Sequence, residues 1–348
     1  MKLKPLGRTG IDVTDYCLGT MTWGTQTGEA DAHAQMDAAL AAGINFVDTA
    51  EMYPVNPISA ETIGRTEEII GNWNAANPGR RGDYVLATKH SGEGMGYVRD
   101  GAPISSKTIA ATIEGSLKRL QTDVIDLYQF HWPNRGSYMF RKNWTYDPTG
   151  MRAEDVRADM ADCLEALQRE VERGTIRAFG LSNESAWGTA QWLRVSEENG
   201  LPRVASVQNE YSLLCRLYDT DMAEMSVAED VGLLAFSPLA CGYLTGKYEG
   251  GAVPDGSRMS IGPGMGGRAS PRVAEATAAY LEIAREHGID PTHMALAFCA
   301  ERPFMGSVIF GATTSAQLDH IIEGLDTALS GEVLDAIDKA HRAHPMPY

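Results

Sequence analysis

Asp48, Tyr53, Lys89 and His131 are four side chains that together could place a proton on a carbonyl oxygen. A phenol with an ordinary pKa of about 10 is a poor acid at neutral pH. A neighbouring ammonium lowers that pKa, and a carboxylate keeps the ammonium charged and in place. A neutral imidazole can hydrogen-bond the carbonyl oxygen. The set suits general acid catalysis, with Tyr53 as acid, Lys89 and Asp48 as its tuners and His131 as orienter. Each residue also has a plainer use. Asp48 could cap a turn, Tyr53 pack a rim, Lys89 and Asp48 form a buried ion pair, and His131 sit satisfied in a core. Their recurrence at successive strand ends favours the joint reading.

The elements that must position these groups are short apolar runs, each ending on a polar side chain. Ile44–Val47 runs into Asp48, Val85–Thr88 into Lys89, and Ile125–Phe130 into His131. Phe179–Leu181 leads to Ser182 and Asn183, Ala205–Val207 to Gln208, Leu233–Phe236 to Ser237, and Val308–Gly311 towards Thr313. Helical spacing recurs between them near residues 30–42, 61–74, 106–120, 153–173, 185–198, 217–229, 271–287 and 315–325. Ser270-Pro271 and Asp290-Pro291 read as helix starts, the first with Ser270 as N-cap. This series predicts an α/β fold, a (β/α)8 TIM barrel spanning residues 1–348 as one domain. A hairpin turning at Gly7–Gly10 is expected to plug its bottom, and a final helix over 331–343 to follow the eighth unit. Three long loops, 90–104, 132–151 and 239–269, leave the C-terminal rim, where barrel enzymes bind substrate. Trp23, Trp132 and the aromatics of the 132–151 loop, beside Tyr53 and His131, predict a hydrophobic or aromatic aldehyde pocket.

A net charge of -16 repels nucleic acid and anionic lipid. No apolar run reaches the roughly 18 to 20 residues of a membrane span. The basic N-terminal stretch lacks the apolar core of a signal peptide. Five cysteines without a CxxC pair predict free thiols in a reducing, cytoplasmic setting. The stretch Gly262–Gly267 matches GxGxxG, but it follows no strand and opens no helix, so it reads as a flap. His287 and His293 are separated by Gly288 and share no helix face, so no metal site is expected there. Oligomeric state is left open.

In Gly43–Tyr53, Ala87–Lys89, Asp126–Pro133, Gly180–Asn183, Val207–Leu214 and Phe236–Tyr248 the chain resembles the aldo-keto reductase superfamily. Within it, the likeness is to bacterial Tas-like reductases, relatives of the potassium-channel β-subunits. The resemblance implies NADPH-dependent reduction of a small-molecule carbonyl, with Tyr53 as acid. It implies that Ser182, Asn183 and Gln208 hold the nicotinamide carboxamide and that Phe236 lies against the ring. Thr20, Met21 and Asp48 join the cofactor contacts. Ser237, Pro238, Leu239 and Gly242 would wrap the pyrophosphate as an anion nest. Lys247 and Arg258 match basic positions near the adenosine phosphate, and Gly311, Thr313 and Gln317 the segment after the eighth strand. Family members often carry a basic residue between positions 311 and 321, and many have Asn where Ile321 stands. This chain has neither, so discrimination between NADPH and NADH is expected to be modest.

Two other readings follow from the same residues. Lys89 could be the Schiff-base nucleophile of an aldolase, although Asp48 beside it favours the unreactive ammonium. The chain could also bind NADPH as a redox sensor with slow turnover.

Overall fold

Apolar runs buried on both faces form the staves of a closed barrel. The computed structural model describes residues 1–348. Its barrel strands are β3 (Tyr16–Gly19), β4 (Phe46–Asp48), β5 (Val85–His90), β6 (Ile125–Phe130), β7 (Ile176–Ser182), β8 (Val204–Glu210), β9 (Gly232–Phe236) and β10 (Met305–Phe310). All neighbouring pairs are parallel, and β10 closes on β3. The predicted (β/α)8 barrel is therefore the fold.

Side chains alternate along each strand, so every second residue points inward. Phe46, Ala87, Leu127, Ala178, Leu234 and Ile309 share one interior cluster. Two residues further along the same inward rows stand Asp48, Lys89 and Gln129, with His131 beyond Gln129. The candidate acid–base groups thus form the layer above an apolar floor. The antiparallel hairpin of β1 (Leu3–Pro5) and β2 (Asp12–Thr14) closes the barrel from below. Its Leu6, Ile11 and Val13 join the interior cluster. Gly7 (φ +55°) makes this fit possible, because a Cβ there would lie 2.6 Å from the Ala205 carbonyl oxygen.

Around the barrel lie α1 (Glu29–Ala41), α2 (Arg65–Ala76), α3 (Ile109–Leu120), α4 (Ala153–Arg173), α5 (Ala186–Asn199) and α6 (Asp221–Glu229). They are followed by α7 (Arg258–Ile261), α8 (Pro271–Glu286), α9 (Pro291–Ala300), α10 (Ser315–Glu323) and α11 (Gly331–Ala343). Three helices, α2, α3 and α6, start three or four residues later than their periodicity suggests. Gly64 holds a left-handed φ of +83° just before α2. Thr220 breaks the pattern of 217–229, leaving a 3-10 turn at Leu217–Asp219 ahead of α6. Ser270 precedes α8 as expected but does not cap it with its side chain, because its hydroxyl bonds the Pro347 carbonyl instead. Most of the glycine-rich stretch 262–267 is exposed, but one residue anchors it. Met265 within it is buried in the main core. No helix is long and apolar enough to cross a membrane, and the five cysteines are all unpaired.

Candidate active site

Lys89 stands fully buried at the barrel mouth, where an uncompensated charge would be costly. Its Nζ lies 2.6 Å from Asp48 Oδ2 and donates to the Thr49 carbonyl at 2.6 Å. Burial is the largest influence on Lys89 and works against its charge, but Asp48 and Tyr53 together hold its pKa above the usual range. The Tyr53 ring centroid is 4.9 Å from Lys89 Nζ. Burial is the largest influence on Tyr53 and raises its pKa; Lys89 pulls it down and Asp48 pushes it up again. The expected pull of the ammonium is present, but in this site it softens the effect of burial rather than overcoming it. Tyr53 is consequently a protonated phenol at neutral pH. His131 packs edge-on to it, with ring centroids 5.8 Å apart. Burial, then Lys89, hold His131 well below the ordinary imidazole value, so the ring is neutral. The four residues converge as their strand-end positions suggest.

Beside them, Ser182 and Gln208 face each other across β7 and β8. Ser182 Oγ donates to the Gln208 carbonyl, and Asn183 Nδ2 donates to the His131 carbonyl at 2.9 Å. Asn183 Oδ1 is buried without a partner. Gln208 Nε2 donates to Asp48 Oδ1 at 2.8 Å, as does Gln129 Nε2 at 3.0 Å. Thr20 donates its hydroxyl to the Asp48 carbonyl, and Met21 packs against the cluster containing Tyr53.

Beyond β9, Ser237, Ala240, Cys241 and Gly242 all take left-handed φ, a backbone suited to directing N–H groups at an anion. The Gly242 N–H itself is committed to the Leu239 carbonyl. Lys247 lies so close over Gly242 that a Cβ there would sit 2.4 Å from its Cε. Burial, then repulsion from Arg258, depresses the Lys247 pKa, so the two cations share one region. Phe236 is half-buried at the end of β9, and Pro238 and Leu239 follow it. Thr313 donates to Gln317 Oε1 through both its N–H and its hydroxyl, just after Gly311. These groups ring one rim, and the description Aldo/keto reductase family matches residues 16–342.

This chain belongs to the aldo/keto reductase family. Protein tas of Escherichia coli (strain K12) is 42% identical over 353 residues, covering 100% of this chain and 99% of that protein. An uncharacterized oxidoreductase, YrpG, of Bacillus subtilis (strain 168) is 33% identical over 96% of this chain and 94% of its own length. A probable voltage-gated potassium channel subunit beta of Oryza sativa subsp. japonica is 30% identical over 99% and 98%. Membership makes the chain an oxidoreductase of a family that works with nicotinamide cofactors.

One expected contact of this aldo/keto reductase is placed elsewhere. Trp23 was expected at the substrate pocket but is 1% exposed in the main core. Its indole N–H donates to Gln35, and the turn after β3 folds it inward. Trp132 stays at the rim. Its indole donates to the Glu93 carbonyl at 3.0 Å and lies flush on Gly92. Gly92→Ala would set a Cβ 2.3 Å from the indole. The expected result is a loss of about 1–3 kcal/mol in urea unfolding with displacement of Trp132; an unchanged midpoint would show that the indole is free to move.

Several site residues escape a sequence reading. Gln129 sits inside an apolar run, but its position two before His131 puts it on the same inward row. Arg99 ties the 90–104 loop to the Asp48–Tyr53 segment by donating to Glu51 at 2.6 Å. Burial, then Arg99, press the adjacent His90 down to about 3, so it too is neutral. Glu210, at the end of β8, accepts from Arg141 at 2.6 Å and from Arg268 at 2.7 Å. That carboxylate fastens the 132–151 and 239–269 loops to one strand end. A cleft opens there, with Phe140, Asn183 and Tyr348 among its walls.

Proposed function

We propose that this aldo/keto reductase uses NADPH to reduce aldehydes and ketones to alcohols, with Tyr53 as general acid. The observation that carries this reading is the buried Asp48–Lys89 ion pair beneath a protonated Tyr53 and a neutral His131. When bound, the nicotinamide supplies hydride to the carbonyl carbon. His131 hydrogen-bonds the substrate oxygen and fixes its direction. Tyr53 gives that oxygen a proton, and Lys89, held charged by Asp48, stabilises the phenolate left behind. The same charge state speaks against Lys89 as a Schiff-base nucleophile, which must be neutral to attack.

The site also fits the cofactor. Asn183 Oδ1, buried and without a partner, is an acceptor for a carboxamide N–H. Ser182 and Gln208 flank it, and Phe236 would lie against the nicotinamide ring. The left-handed residues Ser237, Ala240, Cys241 and Gly242 suit a pyrophosphate. Lys247 and Arg258 crowd one another with no carboxylate between them, an arrangement that a bound phosphate would relieve. Thr20, Met21, Pro238, Leu239, Gly311, Thr313 and Gln317 complete the contacts. Apolar side chains around Tyr53, including Met52, Met95, Val98 and Trp132, support a hydrophobic substrate. Methionines there would adapt to several shapes. The test is NADPH oxidation over a panel of aldehydes, ketones and sugars. Turnover is expected with apolar aldehydes, and none with any carbonyl would refute the reading.

A 2′-phosphate held by Arg258 should contribute roughly 1.5–3 kcal/mol. Arg258→Ala is expected to raise KM for NADPH and leave NADH nearly untouched. Equal effects on both cofactors would place Arg258 on a group they share. Reduction with Tyr53 as acid requires no metal at the carbonyl, so dialysis against EDTA is expected to leave turnover unchanged. Activity lost to EDTA and restored by Zn²⁺ would contradict that mechanism.

The rice relative named as a channel subunit supports a second reading, a cofactor-binding redox sensor with slow turnover. Tight NADPH binding without appreciable turnover on any carbonyl would favour it.

A further inference from the structure

Where α9 meets α10, three side chains with metal-binding atoms gather far along the chain from Tyr53. Asp290, His293 and His320 each offer one ligand atom, and all three atoms lie within 4.8 Å of one another. His320 Nε2 is 3.3 Å from Asp290 Oδ1, and His293 Nδ1 is 4.0 Å from it. Ligands about 2.0–2.2 Å from a tetrahedral zinc stand roughly 3.3 Å apart. One pair already stands at that spacing, and the others reach it by closing at most about 1.5 Å.

The groups behind the ligands make the case independently. Metal-bound histidines give their outer ring N–H to a carbonyl or carboxylate, which fixes the tautomer and the ring direction. His293 does so: its Nε2 lies 2.6 Å from the His320 carbonyl oxygen. That contact requires the proton on Nε2 and leaves the Nδ1 lone pair facing the cluster. His320 turns its Nε2 towards Asp290, while its Nδ1 stands 3.9 Å from Glu323 Oε2, beyond hydrogen-bond reach. Asp290 is held as well, since its Oδ1 caps α9 by accepting from the N–H groups of Thr292 and His293. The His293 ring rests on Gly324, where any Cβ would come within 2.1 Å of it. The two imidazole rings lie 4.6 Å apart and 30° from parallel.

We propose that Asp290, His293 and His320 form a binding site for a divalent transition metal of the zinc class. Two imidazoles and one carboxylate suit that class, whereas magnesium and calcium demand oxygen ligands throughout. The fourth position is open to water, because the cluster is only half-buried. The site joins the start of α9 to the end of α10, so a bound metal braces two helices and takes no part in the reaction at Tyr53.

Calorimetric titration of the EDTA-treated full-length protein with ZnCl2 at pH 7.5 tests the proposal. One equivalent is expected to bind saturably, and MgCl2 to give no heat. His320→Ala is expected to weaken zinc binding at least tenfold. His293→Ala, which removes the second imidazole, is expected to weaken it by a similar factor. Zinc is expected to raise the Tm of the wild type and not that of His320→Ala, because ligand binding to the folded state alone raises stability. Melting both variants without metal checks that they fold. Failure of the wild type to bind zinc saturably, or equal zinc affinity in wild type and His320→Ala, would overturn the proposal.

Discussion

Tyr53→Phe is expected to lower kcat for an aldehyde such as 4-nitrobenzaldehyde by roughly 10²- to 10⁴-fold, the usual contribution of a positioned general acid. The substitution removes one oxygen and leaves the ring, so the packing against His131 and the cation–π contact with Lys89 survive. NADPH affinity should be nearly unchanged, because the hydroxyl removed is assigned to the substrate oxygen and to none of the proposed cofactor contacts. Steady-state kinetics paired with a fluorescence titration of NADPH separates the two effects. A Phe variant that keeps a near wild-type kcat would remove Tyr53 from the role of acid.

Lys89→Met is expected to reduce both stability and catalysis. It leaves Asp48 buried with Gln129 and Gln208 as its amide donors and no counter-charge. Breaking one side of a buried pair costs about 3–5 kcal/mol. The variant also loses the one group that pulls the Tyr53 pKa down, so the phenol becomes a weaker acid. Combining Lys89→Met with Asp48→Asn should recover part of the stability, since the buried charge is then gone, but none of the activity. Urea unfolding of the wild type, both single variants and the double variant measures this coupling. A loss under about 1 kcal/mol for Lys89→Met would mean that the pair behaves like a solvated surface ion pair.

The barrel was legible because its strands are apolar on both faces and most of them lead directly into a polar group. The convergence of Asp48, Tyr53, Lys89 and His131 followed from the same regularity, since adjacent strands bring their ends together. What escaped the sequence depended on partners far away in the chain. Glu210 binds Arg141 and Arg268, which lie 69 and 58 residues distant, and no local pattern marks such a pairing. His320 meets His293 across 27 residues, whereas the nearer His287 stays out of that cluster. Trp23 reads as a rim aromatic until the turn after β3 carries it into the core. Ser270 has the type and place of an N-cap, but the chain near Pro347 takes its hydroxyl. For Tyr53 the neighbours could be named from sequence, while the balance between burial and Lys89 required the packed site.

Transfer of label from NADPH carrying deuterium on the reactive face at C4 of the nicotinamide tests the central claim most directly. With 4-nitrobenzaldehyde in a single turnover, deuterium is expected on the carbinol carbon of the alcohol, one for each NADPH oxidised, and the yield should collapse in Tyr53→Phe. An alcohol without label, or an aldehyde recovered as a borohydride-trapped adduct of Lys89 with NADPH unconsumed, would contradict it.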